Sequence, residues 1–312
     1  MRLRAHHAIP ITLLYGLGYP LGALALGELA APWVLTIRFV AAAALLALVA
    51  VLTGRRWPRG RQWGHVIVVG ILTQAVQFGF AYEGMRLGVA PTLTALVIAM
   101  NPVVTTVLAG LWLGERPTRR GIAGLVLGLV AIGVAFAGRV SADGIDAAVL
   151  FTLLALLGMS AGGVYQQRFL PTIDPLPASA VGQFVSAIPM AIWAALTPPS
   201  LGDPGRAAAS MAAMVILSAA VGTTVYMAAV RRSGAARVSL LFAVIPSVAA
   251  LFGWILLAQL PSPGVLAGLV IGAIACIVGG SGTHSSSGGP SSPSGEPLRN
   301  RDRVRQLSPK GG

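Results

Sequence analysis

Charge is scarce in this chain. Only 10% of its 312 residues are Asp, Glu, Lys or Arg, against roughly 25% in an ordinary soluble domain, so a water-soluble globular fold is excluded. A single cysteine, Cys276, rules out a disulfide framework and a thiolate metal cluster. The one lysine, Lys310, leaves no Gly-x-x-x-x-Gly-Lys loop to cradle a nucleotide, so ATP is not the driver. His6, His7, His65 and His284 stand at the ends of apolar runs or in the tail, with no pair at i, i+4 inside a run, so a zinc or di-iron site lacks ligands. Of the nine carboxylates, Glu83 alone falls within an apolar run, so an intramembrane hydrolase lacks its nucleophile and base pair. No catalytic residue, cofactor or metal is expected.

What the chain has is apolar length. Runs of about 20 residues, enough to cross a ~30 Å hydrocarbon core as a helix, lie near 8–26, 32–53, 64–85, 90–113, 119–138, 146–167, 178–197, 208–230, 235–257 and 263–280. The expected fold is all-α, integral to a membrane, with ten transmembrane helices. Arg2 and Arg4 ahead of the first run also resemble a secretory signal, although the run is longer than a typical signal core. Every connection is short and carries breakers or charges, as at Thr53-Gly-Arg-Arg-Trp-Pro-Arg-Gly-Arg61.

The net charge of +13 is a topology signal. With a cytoplasmic N-terminus, 18 of the 22 basic residues fall on the inner side, among them Arg55, Arg56, Arg59, Arg61, Arg116, Arg119 and Arg120. Arg86, Arg139 and Arg206 fall outside, and Arg38 alone lies within a span. Both ends are then cytoplasmic, the membrane is the cytoplasmic (inner) one, and a nucleic-acid partner is set aside.

The chain also repeats itself. Ile122-Ala-Gly-Leu-Val-Leu-Gly128 returns 144 residues later as Leu266-Ala-Gly-Leu-Val-Ile-Gly272, and the same register carries Tyr82 onto Tyr226, Pro102 onto Pro246 and Pro117 onto Pro261. Five spans per copy is an odd number, so the second copy enters from the opposite side and the repeat is inverted, the usual build of a secondary transporter. The expected domains are 1–138 (spans 1 to 5), 139–280 (spans 6 to 10) and a basic cytoplasmic tail, 281–312. The Ser, Gly and Pro composition of that tail predicts disorder.

Ala81-Tyr-Glu-Gly-Met-Arg-Leu-Gly-Val-Ala-Pro91, then Asn101-Pro102, then Leu111-Trp-Leu-Gly-Glu-Arg-Pro-Thr118 resemble the signature of an EamA-type domain of the drug/metabolite transporter superfamily. The second half matches more weakly, and Gln259 stands where the first half has Glu115. The resemblance covers about residues 8 to 280. It implies a ten-helix carrier of small metabolites, more often an exporter than an importer, and names no ligand.

Polar side chains inside spans are the candidates for substrate contact, because an ionisable group at mid-bilayer costs roughly 2.5 to 3.5 kcal/mol on insertion scales. Arg38, roughly 9 Å below the outer surface, and Glu83 at similar depth either pair across the lumen or stay apart, with Arg38 snorkelling outward and Glu83 bound to Arg86. Glu83 is the candidate carrier of a coupled proton, with facilitated diffusion the alternative. Gln183 is the neutral mirror of Arg38, a weak pointer to an anionic or zwitterionic substrate. Gln77, Asn101, Tyr15, Tyr19 and Tyr165 are further candidates for the cavity wall, with interhelical glue the competing role for the amides. Pro20, Pro102 and Pro246 are candidate helix breaks or gates. Tyr82 reads as an interfacial anchor. Gly124-x-x-x-Gly128 and Gly268-x-x-x-Gly272 let helices approach closely, either joining the halves or making a dimer. The expected function is a secondary transporter moving a small metabolite by alternating access, with a lipid-linked flippase or a non-transporting membrane subunit as the alternative. Expected partners are the small-molecule substrate, membrane lipid and, if transport is coupled, protons; the chain is a monomer or a homodimer.

Overall fold

In chain order the helices are α1 (Ala5–Glu28), α2 (Ala31–Leu52), α3 (Gln62–Gly70), α4 (Gln77–Arg86), α5 (Pro91–Ala99), α6 (Asn101–Leu113), α7 (Arg119–Phe136), α8 (Ala147–Phe169), α9 (Pro175–Ala195), α10 (Pro204–Ala213), α11 (Ile245–Leu257) and α12 (Pro263–Gly280). The computed structural model describes residues 5–114, 119–137, 140–141, 144–217 and 245–280. These helices belong to one compact unit, Met1–Gly282; Thr283–Gly312, including the expected disordered tail, lies outside the described residues. So do Glu115, Tyr226 and the stretch 218–244, where the eighth and ninth predicted spans meet. Apart from a two-residue antiparallel pairing, Val140–Ser141 with Gly144–Ile145, the described chain is helical.

Prolines and aspartates set where helices begin. Pro32, Pro91 and Pro175 occupy the first turns of α2, α5 and α9, where no intrahelical N–H is needed. Asp146, Asp174 and Asp203 cap α8, α9 and α10 by accepting from the backbone N–H of Ala148, Leu176 and Arg206. Six helical stretches are long and apolar enough to cross a membrane: Ala31–Leu52, Gln62–Arg86, Pro91–Trp112, Arg119–Phe136, Ala147–Phe169 and Pro175–Ala195. Pro204–Leu217, Ile245–Leu257 and Pro263–Ala275 are shorter apolar helices.

Two of the long stretches are not uniform. The third predicted span is α3 and α4 joined by a π-helical turn, Ile71–Val76. The fourth breaks at Met100 into α5 and α6, because Pro102 has no N–H to continue the ladder; Met100 N–H bonds only three residues back, to Val97 at 3.0 Å.

Polarity is inverted relative to a soluble protein. Phe184, Ile188 and Ile192 form an exposed apolar face on α9, whereas Arg38, Gln77 and Gln183 are buried. A bundle whose large apolar side chains face outward and whose polar ones face inward is suited to lipid.

The most extensive helix pairs are α7 with α12, α2 with α9, α4 with α8 and α1 with α11, followed by α6 with α8, α5 with α11 and α1 with α10. Small residues permit several of these. A Cβ on Gly268 would come within 2.7 Å of Ala135 Cβ and 2.9 Å of Ala131 O, so this glycine motif is used between α12 and α7 within one chain. At the crossing of α3 and α9, a Cβ on Gly70 would lie 2.5 Å from Gly182 Cα, and Ser186 Oγ donates to Gly70 O at 3.0 Å. That crossing stands beside the cavity described next.

Candidate functional site

A cavity of about 440 Å³ runs between α1, α2, α3, α4, α8 and α9 and touches the α5–α6 break. Its lining follows helical spacing. From α3 into α4 it takes Val66, Val69, Gly70, Thr73, Gln74, Gln77, Phe78 and Tyr82; from α9 it takes Pro175, Ala178, Ser179, Gly182 and Gln183. Steps of three and four keep these side chains on one face, and the π turn inserts its extra residue within the cavity-facing stretch, where such turns commonly occur.

Five sequence candidates come together here: Tyr19, Arg38, Gln77, Asn101 and Gln183. Arg38 is 7% exposed, which replaces the snorkelling alternative with a buried cation. Its guanidinium sits 3.9 Å from the centroid of Phe78, a cation–π contact, and one Nη donates to Tyr82 Oη at 3.4 Å. Its Nε has no hydrogen-bond partner among the described residues. Tyr82 Oη in turn donates to Met214 Sδ at 3.1 Å and abuts Gly22 of α1, where an added Cβ would lie 2.5 Å away. Asn101 Oδ1 accepts from Thr105 Oγ1 at 3.1 Å and Ser160 Oγ at 2.9 Å, so the amide ties the α5–α6 break to α8 with its oxygen. Gln183 Oε1 and Gln74 Oε1 are buried without a partner among the described residues.

Other candidates fall elsewhere. Glu83 does not pair with Arg38. Arg86, one turn on, donates to both of its carboxylate oxygens, with Nε to Oε2 at 2.9 Å, because the i, i+3 neighbour is within reach while Arg38 points to the aromatic rings. Glu83 is not among the cavity's lining residues. Tyr165 is not either; its Oη lies 2.9 Å from His65 Nδ1, and His65 stacks on Phe169 at 4.8 Å. Pro20 is buried within an unbroken α1, Pro102 opens α6 rather than kinking a continuous helix, and Pro246 is buried near the start of α11. The side chain of Tyr15 lies outside the described residues.

The two ends of the cavity differ. Toward the arginine-rich connections it reaches Leu170, Ile173 and Pro175, beside exposed Gln167 and Pro171. Toward the other end, beyond Arg38 and Tyr82, the loops are tied together. Glu28, which ends α1, accepts from Arg206 Nε at 3.1 Å and Asp203 N at 2.8 Å, and its carbonyl accepts from Gly202 N at 2.8 Å. Leu29 and Leu201 form a one-residue β-bridge alongside.

Sequence reasoning missed Tyr82 and Phe78. Their signal was the phase of Gln74, Phe78 and Tyr82, each four residues apart on the stripe that carries Gln77.

Family models and solved structures agree with this architecture. The model of the EamA-like transporter family matches twice, over residues 8–137 and 146–279. The chain therefore belongs to the EamA-like transporter family, a family of transporters rather than enzymes, and is a multi-pass membrane protein. Among 22 similar solved chains, one described as "Crystal structure of protein" superposes with a TM-score of 0.61 at 19% identity, covering 88% of this chain and 96% of that one. This likeness concerns the fold alone. No curated protein matches the chain.

Proposed function

We propose that the chain is a secondary carrier that moves a small metabolite, such as an amino acid, an amine or a related solute, across the cytoplasmic (inner) membrane by alternating access, in the direction of export. The observation that carries this reading is the cavity. It holds buried polar groups without partners, and its walls come from both regions that match the family, through α1 to α6 on one side and α8 and α9 on the other. Such groups are costly in an empty bundle and useful in one that fills and empties.

Ten spans in two inverted five-helix repeats, 1–138 and 139–280, belong to the same reading, and the helix pairing supports them. Exchange of the halves turns α1 into α8, α2 into α9, α4 into the span begun by α10, α6 into α11 and α7 into α12. Under that exchange the α2–α9 and α7–α12 pairs map onto themselves. The α6–α8 pair maps onto α1–α11, and all of these are among the extensive contacts. A two-fold relation between halves is what lets one rocking motion open either face in turn.

With the arginine-rich connections and both termini cytoplasmic, the cavity reaches toward the cytoplasm while the Glu28 cluster seals the far side. A site that loads from the cytoplasm suits an exporter. The test is to compare metabolites in the medium of cells with and without the chain, then to measure flux of any enriched compound into proteoliposomes. Enrichment and protein-dependent flux are expected; absence of flux for every enriched compound overturns the carrier reading.

A further inference from the structure

Arg38 is a permanent cation, only 7% exposed, in a cavity that contains no carboxylate among its described lining residues. The acids nearest to it along the chain are already engaged, Glu28 by Arg206 and Glu83 by Arg86. The sequence also limits what residues 218–244 can add, since no Asp or Glu occurs between Asp203 and Glu296. Every other acid stands in a connection between predicted spans, at the very start of one in the case of Asp146, or in the tail. The groups that do touch Arg38 compensate it poorly. Tyr82 accepts at 3.4 Å, a long hydrogen bond, Phe78 and the more distant Phe39 offer only ring faces, and Nε donates to nothing among the described residues. A buried cation in this condition is a site waiting for an anion.

The complementary demand comes from the amides. Gln74 and Gln183 line the same cavity, and the Oε1 of each is buried and accepts from nothing among the described residues. They call for an N–H or O–H on the cargo. Val66, Ile98 and Met159 add apolar wall beside the polar Thr73, Gln77, Asn101 and Gln166. One cation balances one negative charge, and a dianion would leave an uncompensated charge in a low-dielectric cavity. A free ammonium on the cargo would find no carboxylate to hold it and would sit close to Arg38.

Building on the carrier reading and narrowing its solute to an acid without a free ammonium, we propose that the cargo is a small organic monoanion: a monocarboxylate held by Arg38, with a neutral hydroxyl or amide N–H donor for Gln74 and Gln183 and an apolar body. In a planar carboxylate each oxygen accepts strongly from guanidinium N–H groups, which satisfies the orphaned Nε.

The experiment uses the full-length protein in lipid nanodiscs and measures binding by ligand-induced thermal stabilisation over a concentration series. Two scaffolds are used, lactate and 3-phenyllactate, each beside its uncharged amide; phenylalanine, phenethylamine and phenyl phosphate are the zwitterionic, cationic and dianionic probes. The expected result is that at least one of the two hydroxycarboxylates binds, at least tenfold more tightly than its own amide, and that 3-phenyllactate exceeds phenylalanine, phenethylamine and phenyl phosphate. Arg38→Gln is expected to weaken that carboxylate at least 30-fold and erase its advantage over the amide, while Arg38→Lys retains part of it. Equal or tighter binding of the amide, the amine, the zwitterion or the dianion overturns the proposal, as does binding of neither carboxylate. Unchanged carboxylate affinity in a folded Arg38→Gln variant overturns it too; if that variant does not fold, the wild-type series decides alone. Flux separates the two readings. Carboxylate binding without flux of any solute in proteoliposomes overturns the carrier reading and keeps the anion site. Flux of amines or neutral solutes unaffected by the carboxylates overturns the anion site and keeps the carrier.

Discussion

Arg38 on α2 and Gln183 on α9 line one cavity, on helices that pack against each other, and each is 7% exposed. Each also carries a buried polar atom without a partner among the described residues, the donor Nε in Arg38 and the acceptor Oε1 in Gln183. They differ in charge. The first-half wall presents a cation backed by Phe78 and Tyr82, and the second-half wall presents a neutral amide among Ser179, Gly182 and Ala178. That difference makes the described lining of the cavity electrically one-sided. Selectivity is therefore to be sought in the mismatch.

The largest effect should come from forcing the two walls apart. Gly70→Val drives a side chain into the Gly182 backbone at the α3–α9 crossing, and overpacking there is expected to destabilise the protein by about 3 kcal/mol, read as a lower thermal unfolding midpoint in detergent. Equalising the walls works the other way. Arg38→Met removes a buried, poorly compensated charge, so the empty protein should gain about 2 kcal/mol while losing anion binding; an empty variant no more stable than wild type would mean that the charge is already compensated.

The two ends of the cavity make a second comparison. Glu28→Gln removes the charge that holds Arg206 at the sealed end, and should shift the population toward opening there by roughly tenfold, about 1.4 kcal/mol. Accessibility of a cysteine introduced beside Tyr82 to a membrane-impermeant thiol reagent measures it, and unchanged labelling would show that the backbone contacts of Gly202 and Leu201 seal that end alone. The smallest effect belongs to Glu83→Gln. Because Glu83 is bound to Arg86 away from the cavity, the pH dependence of transport should stay within twofold of wild type. A larger change would return the coupled proton to Glu83.

Much of the fold was legible because a bilayer leaves few options. Apolar length is a local signal, and it marked α2, α7, α8 and α9 to within a few residues. The break at Met100 was half legible: Pro102 announced a defect, but its neighbours decided that two helices would result. The cavity was legible as a polar stripe and misread at Tyr82, because a tyrosine near a span end is an anchor in one packing and a cavity wall in another.

The sequence by itself determined membrane class and the positions of the six long apolar stretches, since both follow from the cost of placing polar groups in hydrocarbon. Which ion pairs form was left open, because Arg38 and Glu83 stand at similar depth and depth alone permits their pairing. Only the tertiary structure decided it, by turning Arg38 onto Phe78 and Tyr82 and giving Glu83 to Arg86. A side chain's direction around the helix, set by what its neighbours pack against, is what separates a gate from an unpaired cation in a cavity.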